Sequence, residues 1–405
     1  MFREQYRLLS NSTFRRFTLS CALAMFGNGL TYVIMIWALM QFHASIVSTA
    51  SLMTCFWLPN VIFGPFFGVL TDSWNRRRIL LFTNGMRALC LFVFALLINS
   101  HMNPTSIYIL ASILGTLLAS YIPAAMTFVR ELVSPDDLMY GNATVDIAYE
   151  LGAVMGMGGA GLILAVTSFA TCFIINACCY LLAMLMLYRI PHVPNASIEK
   201  QKRESMWKKF VMGARYISKR KPLFWIYVTQ GLFFVCYMTA PVLLAPYAKT
   251  VLHSNVGQFG FLEAMLSFGI ILGGFISPWL ATWFSLFRVV LAQVLLGIFG
   301  FYLFSHTSMP ALAIFYHFLI GLSFSSWALL TTLAQEMTAL NYQGRVQSLF
   351  NSLSGAIIIV FYYALAAWQN VALTKLYYGE ISLLVLAIIC LLLMALSQRR
   401  LKIAE

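Results

Sequence analysis

Charge is what this sequence has least of. Asp, Glu, Lys and Arg together make up 10% of its 405 residues, against roughly 25% in soluble domains. That scarcity excludes an ordinary water-soluble fold. Acids are scarcer than bases, 13 against 26. No stretch has the phosphate-cradling spacing G-x-x-x-x-G-K-[ST], which argues against ATP as the direct energy source. The eight cysteines (Cys21, Cys55, Cys90, Cys172, Cys178, Cys179, Cys236 and Cys390) never meet histidines at metal-ligand spacing. They read as small, polarizable packing residues, and no metal or cofactor is expected. Loops are short with one exception, leaving no room for an extra soluble domain or a water-facing enzyme site.

Apolar length is what remains. Hydrophobic residues form 61% of the chain, and a helix needs about 20 of them to cross a bilayer. Twelve such runs lie near 17–40, 46–70, 79–99, 106–129, 142–166, 168–188, 223–247, 258–283, 288–304, 310–334, 347–370 and 376–396. The fold class expected is an all-α integral membrane protein of twelve transmembrane helices. The first run follows Arg3, Arg7, Arg15 and Arg16 but is too long for a signal peptide and has no convincing cleavage site, so it is read as a retained span.

The net charge of +13 invites a nucleic-acid reading, and its distribution removes it. With both termini placed in the cytoplasm, 23 of the 26 Lys and Arg fall on the inner side. Only Lys249 and Lys375 fall outside, and Arg87 lies within a span. This is the positive-inside asymmetry, with anionic lipid as the expected contact of the basic loops. The sequons at Asn11, Asn142 and Asn195 all lie on the cytoplasmic side and carry no glycosylation signal.

The chain divides into halves. Residues 1–190 hold six runs, 191–221 form a basic linker, and 222–405 hold six more. Within the linker, Met206 to Ile217 alternates basic and apolar positions at helical spacing. An amphipathic helix on the inner leaflet is expected there, with Trp207, Phe210 and Ile217 toward lipid.

Between the second and third runs stands Gly68-Val69-Leu70-Thr71-Asp72-Ser73-Trp74-Asn75-Arg76-Arg77-Arg78. One acid and three arginines between spans mark a tight cytoplasmic turn, since the bilayer core tolerates neither cheaply. The pattern resembles the G-x-x-x-D-R-x-G-R-R loop of the major facilitator superfamily of transporters. Gly68, Asp72, Arg76 and Arg77 match it, while Ser73 and Asn75 depart from it. The resemblance implies two six-helix halves, a midplane substrate site between them and a cytoplasmic gate at this turn. The second half has Gly274-Phe275-Ile276-Ser277-Pro278 at the corresponding place, without an acid and with only Arg288 following. Pro59 to Gly68, Pro123-Ala124-Ala125 with Glu131-Leu132-Val133, and Gly344-Arg345-Val346 are similar to the branch holding macrolide-efflux and enterobactin-exporter proteins.

In the fifth run, Gly152, Gly156 and Gly161 match the G-x-x-x-G-P-x-x-G-G pattern that the superfamily's antiporters carry, with Met157 and Ala160 in place of Pro and Gly. The resemblance implies export. Simple close packing of helices is the alternative.

Ionisable groups inside a membrane are functional candidates by default. Glu150 lies eight residues into its run, about 12 Å at the helical rise, near the middle of a ~30 Å core. Asp146 is one turn shallower. Both are candidates for proton coupling, or for neutralising Arg87. Glu263 and His317 lie in the outer part of the second half. Glu263 is a candidate second protonation or cation-substrate site. His317 is a candidate relay, with an interfacial hydrogen-bonded histidine as the alternative. Asn28, Tyr32, Trp57, Tyr121, Gln230 and Tyr237 are candidates to line the cavity, against aromatic belts facing lipid.

Together these features, with the resemblance, point to a monomeric proton-driven exporter of a bacterial inner membrane, moving a small-molecule substrate such as a drug or siderophore. A lysophospholipid flippase, an importer of the same fold and a non-transport receptor or scaffold are the alternatives. Topology is tested first. Single cysteines at residue 200 and near the C-terminus should react with thiol reagents only from the cytoplasmic side. Labelling from the periplasm at either point overturns the orientation and every depth above.

Overall fold

A chain crossing hydrocarbon must satisfy its backbone hydrogen bonds internally, and the helix does so within one segment. The computed structural model describes residues 2–101, 103–134, 137–191 and 206–404. Among them the order is α1 (Phe2–Ser10), α2 (Ser12–Phe42), α3 (Ile46–Ser73), α4 (Arg76–His101), α5 (Pro104–Leu132), α6 (Leu138–Val166), α7 (Phe169–Tyr188) and α8 (Met206–Ser218). Then follow α9 (Lys221–Thr250), α10 (Val256–Phe284), α11 (Leu286–Ser305), α12 (Pro310–Phe324), α13 (Ser326–Glu336), α14 (Leu340–Ala367) and α15 (Leu373–Ala404). The described residues form no strand.

Among the described residues, eleven stretches are long and apolar enough to cross a membrane, with α12 and α13 counted as one. Twelve were expected. The twelfth position is α14, of which the stretch Leu353–Ala367 is apolar among the described residues. The short helix α1 was not expected. It precedes the first span and ends at Asn11, whose side chain caps α2 by accepting from the Thr13 and Phe14 amides. Asn103 and Ser106 form a reciprocal capping box on α5, and Ser168 caps α7. Proline opens α5, α9 and α12, where its missing N–H would be unpaired in any case. Of the linker expected at 191–221, residues 192–205 lie outside the described residues.

The chain forms two compact units. The first comprises Met1–Ala44, Ser51–Gln201 and Ser254–Ala264; the second comprises Ser45–Ala50, Lys202–His253 and Met265–Glu405. In the first, α6 lies in backbone contact with α2. A Cβ on Gly152 would stand 2.2 Å from the Ala22 carbonyl oxygen, and one on Gly156 would stand 2.1 Å from that of Phe26. Gly161 turns to the start of α10, where a Cβ would be 2.7 Å from the Val256 oxygen. The glycine run of α6 thus docks one helix against two neighbours, with Trp37 stacked on Phe259 at 5.5 Å beside it. In the second unit Gly231 on α9 has nothing within 4 Å of its Cβ position.

A paired substitution checks this. Gly156→Ala should destabilise by about 1–3 kcal/mol, the usual cost of overpacking, and lower the melting temperature of detergent-purified protein. Gly231→Ala should leave it unchanged or raise it, as alanine favours the helix. Equal melting temperatures would mean that α6 can step back from α2 at little cost.

Candidate functional site

The arginines of the signature turn tie helix ends of the first unit together. Arg76 opens α4 and is buried. Its Nη1 donates to Glu131 Oε1 on the last turn of α5 at 3.0 Å. Side-chain exposure is 2% and 7% for the two partners, so the pair is desolvated, and a pair of this kind is costly to break from one side. Arg77 reaches the C-terminus of α7, donating from Nε to the Leu187 oxygen at 3.2 Å and from Nη2 to the Tyr188 oxygen at 2.7 Å. A cation there meets the unpaired carbonyls and the negative end of the helix dipole. Arg16 adds a bond to the Arg189 oxygen at 3.0 Å. Arg7 of α1 pairs with Asp137, which also accepts from Ser134. Gly68 and Asp72 fall in the last turns of α3, and their side chains lie outside the described residues.

Arg87 meets no acid among the described residues. It is fully buried on α4, with its guanidinium 4.9 Å from the Tyr121 ring centre and 5.3 Å from that of Tyr180. Aromatic faces attract a desolvated cation, and this replaces the expected pairing with Asp146 or Glu150. Both acids are exposed on α6, one turn apart, and neither forms an ion pair among the described residues. Tyr121 is 0% exposed and its hydroxyl lies 3.6 Å from Cys21 Sγ. It therefore packs the core and does not line an open cavity. Asn28 accepts from the Tyr180 hydroxyl at 2.8 Å.

Glu263 is brought into the first unit by the contact of α10 with α6. It is 3% exposed, and Tyr32 of α2 donates to its Oε1 at 2.9 Å. No cation stands within ion-pair distance of it among the described residues. Tyr32 and Glu263, expected in separate roles, form one hydrogen-bonded pair. His317 is buried on α12 with its ring 5.5 Å from that of Phe304. Gln230 donates to Thr331 at 3.1 Å. Tyr237 is partly exposed, edge-on to Phe324, and Trp57 is half-buried against Phe56.

Three features were not foreseen. Glu380 on α15 is 2% exposed, with its Oε1 2.8 Å from the Thr239 hydroxyl of α9. Its position four residues inside the last apolar run was the available signal. The tenth span is interrupted at Ser325, between α12 and α13, and Gln293 of α11 stitches the break. Its Nε2 lies 2.6 Å from Ser277 Oγ, 2.7 Å from Ser325 Oγ and 3.2 Å from the Leu322 carbonyl oxygen, a polar set beside backbone that an irregular span would otherwise leave bare. Finally, α8, α9 and α14 enclose an apolar cavity of about 500 Å³ lined by Ile217, Phe224, Gly231, Leu353 and Ile357. A second cavity adjoins it at Ser218 and Phe224 and is bordered by Lys219, Arg220 and Lys221. Tyr216 of α8 is buried, receives the Ala339 amide at 3.0 Å and stacks on Tyr342 of α14. The side chains of Trp207 and Phe210 lie outside the described residues.

Known proteins share this architecture. The structure superposes on the nucleoside transporter NupG with a TM-score of 0.71 at 14% identity, covering 95% of this chain and 98% of that one. A bacterial homologue of the iron transporter ferroportin, in an inward-facing state, gives 0.72 at 13% identity over 94% and 98%. In sequence, the chain is 25% identical over 240 residues to the lysophospholipid transporter LplT of Klebsiella pneumoniae, covering 59% of this chain and 58% of that protein. It is 27% identical over 158 residues to the uncharacterized MFS-type transporter YfiS of Bacillus subtilis, covering 38% and 36%. The matches thus span less than two thirds of the length of these curated relatives. The profile of the Major Facilitator Superfamily matches residues 17–362. With that match over most of its length, and with an all-helical multi-pass architecture, the chain belongs to the Major Facilitator Superfamily of membrane transporters.

Proposed function

We propose that the protein is a proton-coupled exporter, carrying a mid-sized amphipathic compound from the cytoplasm across a bacterial inner membrane. The observation that carries this reading is Glu263, a carboxyl buried in a spanning helix with a phenol as its partner and no counter-charge among the described residues. An acid in that setting has no structural necessity, and binding and releasing a proton is its natural chemistry. Asp146 and Glu150, exposed on α6, are proposed to lead protons along the same unit. The energetics are adequate. One charge crossing ~100 mV yields about 2.3 kcal/mol, and a hundredfold gradient of a neutral cargo costs roughly 2.7 kcal/mol. The ties of Arg76 to Glu131 and of Arg77 to the end of α7 are proposed to hold the cytoplasmic gate, together with Asp72.

Export is supported by the resemblance of the α6 glycine run to antiporters. The cargo class is supported by the scarcity of deep cations, since burying an anion without compensation is costly. A second reading, a lysophospholipid flippase, is favoured by one arrangement. The apolar cavity of the second unit could take an acyl chain while Lys219, Arg220 and Lys221 meet a phosphate. The relative from Klebsiella pneumoniae carries that substrate class in its name.

Proteoliposomes with an internal pH dye decide between these readings. A siderophore or macrolide should evoke proton movement in wild type, and Glu263→Gln should abolish it while substrate still binds. Proton flux evoked only by lysophospholipid, or transport with no proton movement, would replace the proposed reading. The gate is tested by Glu131→Gln. Removing the charge of Glu131 beside the buried Arg76 should cost about 3–5 kcal/mol, lower the melting temperature and slow transport. Arg76→Met added to it should restore much of the stability but not the transport rate.

A further inference from the structure

Glu380 is the eighth residue of α15, within a stretch apolar enough to span a bilayer. It is 2% exposed, and no cation lies within ion-pair distance among the described residues. One of its oxygens, Oε1, is 2.8 Å from Thr239 Oγ1. The same Oγ1 is 2.8 Å from the Val235 carbonyl oxygen. A threonine hydroxyl has a single hydrogen. If that hydrogen serves Val235, the usual i−4 bond of a helical threonine, the contact with Glu380 needs another, and the carboxyl itself must supply it. An ionised Glu380 would leave Thr239 facing two acceptors at 2.8 Å with one hydrogen to share. The other oxygen, Oε2, is buried with no nitrogen or oxygen donor. The polar group beside the carboxyl is the Cys236 thiol, 0% exposed and a weak donor.

The first unit contains the matching arrangement. Asn176 is the eighth residue of α7, as Glu380 is of α15. It donates to Thr31 of α2, whose place along α2 is within one residue of that of Thr239 along α9. Asn176 is 0% exposed. The first unit therefore fills this place with an amide, which is neutral and always a donor. A carboxyl in the same place can donate to its threonine only while it holds a proton. The surroundings are too closed for a hydrated metal cation, since Thr239, Val235 and Cys236 are each less than 5% exposed.

We propose that Glu380, Thr239 and the Val235 carbonyl form a proton-binding site in the second unit, in which Glu380 donates to Thr239 and Thr239 donates to Val235. Loss of the proton swings the Thr239 hydrogen from Val235 to Glu380 and releases a bond inside α9. That helix already lacks backbone donors at Pro241 and Pro246, so the release falls in its weakest part. Few other groups titrate nearby. From α9 come Cys236, Tyr237, which packs on Phe324, and Tyr247, whose hydroxyl lies 3.1 Å and 3.0 Å from the Phe304 and Thr307 carbonyl oxygens. From α15 comes Tyr377, packed on Tyr247 and Phe301. Tyr362 of α14 donates to the Met238 oxygen. His306 at the end of α11 bonds Tyr378, and His317 of α12 packs on Phe304. Lys249 and Lys375 lie near helix ends.

The site exists whether or not cargo movement uses protons, so its test needs no substrate. Purified protein is treated with a hydrophobic carbodiimide, which reacts with protonated buried carboxyls, and the adducts are mapped by mass spectrometry between about pH 5 and pH 9. Glu380 should be modified at low pH and progressively spared as pH rises. Glu380→Gln should lose that adduct alone, keep the Glu263 adduct and melt within a few degrees of wild type, since the amide reproduces the neutral donor. Thr239→Val, with Glu380 intact, should move the labelling midpoint to lower pH by removing the acceptor of its proton. A Glu380 adduct absent or unchanged across the range overturns the site. So does a midpoint that rises in Thr239→Val, which would make Thr239 a donor to the ionised form. Protection by sodium at fixed pH overturns it in favour of a metal cation. Absence of substrate-evoked proton flux beside pH-dependent labelling would sink the exporter reading and leave this site standing.

Discussion

A charge cannot stand alone in a bilayer, and the few that this protein places inside its helices decide how each unit is built. Arg76 takes Glu131, Arg87 takes the faces of Tyr121 and Tyr180, Glu263 takes Tyr32, and Glu380 takes Thr239. These four solutions differ in kind. An ion pair holds two opposite charges and is static until water reaches it. A cation on aromatic rings keeps its charge, because a guanidinium cannot be deprotonated in a protein. An acid bonded to a neutral hydroxyl has a further option, which is to carry its own proton. The arginines therefore serve as fixtures, and the two buried acids bonded to hydroxyls are where we propose that charge changes.

Close helix contact supplies the rest of the order. Lipid offers no hydrophobic drive for one apolar helix to prefer another, so small residues that let backbones touch carry much of the association. Gly152 and Gly156 bring α6 onto α2, and Gly161 brings it onto the first turns of α10. That last contact is what sets Glu263 within reach of Tyr32, eight residues into α10. Packing thus positions the acid. The second unit uses its glycine differently, since Gly231 opens on the apolar cavity between α9 and α14 and touches no backbone.

The parts legible in the sequence were those with a long period or a costly residue. Apolar runs of about 20 residues placed the spans, the Arg76–Arg78 turn placed the junction of α3 and α4, and acids inside runs marked Glu263. What was not legible depends on helix phase, which apolar runs without a polar stripe do not report. Arg87 and Glu150 both lie in spans at comparable depth, yet they point to different neighbours. Tyr121 could as well have faced a cavity as an arginine. The break at Ser325 left no proline or charge to mark it, only Ser323, Ser325 and Ser326 among small and apolar residues. Glu380 lies in the first turns of the last apolar run, where an acid resembles an end-of-helix charge. The turn Leu373–Thr374–Lys375 in fact starts α15 earlier, and its helical rise carries Glu380 inward against α9.

The missing acid in the second half acquires a physical meaning from the same contacts. In the first unit the α4 and α5 ends are joined by a buried ion pair. In the second, the polar contact that joins α10, α11 and α12 is the neutral set of Ser277, Gln293, Ser325 and the Leu322 carbonyl. Separating a desolvated ion pair requires rehydrating two charges, and is all-or-none in character. Separating hydroxyls and an amide costs about 1 kcal/mol for each bond, and water can replace them one at a time. The proton site proposed at Glu380 thus lies in the unit whose α10, α11 and α12 are joined by neutral groups, where no ion pair among the described residues opposes the release of a bond within α9.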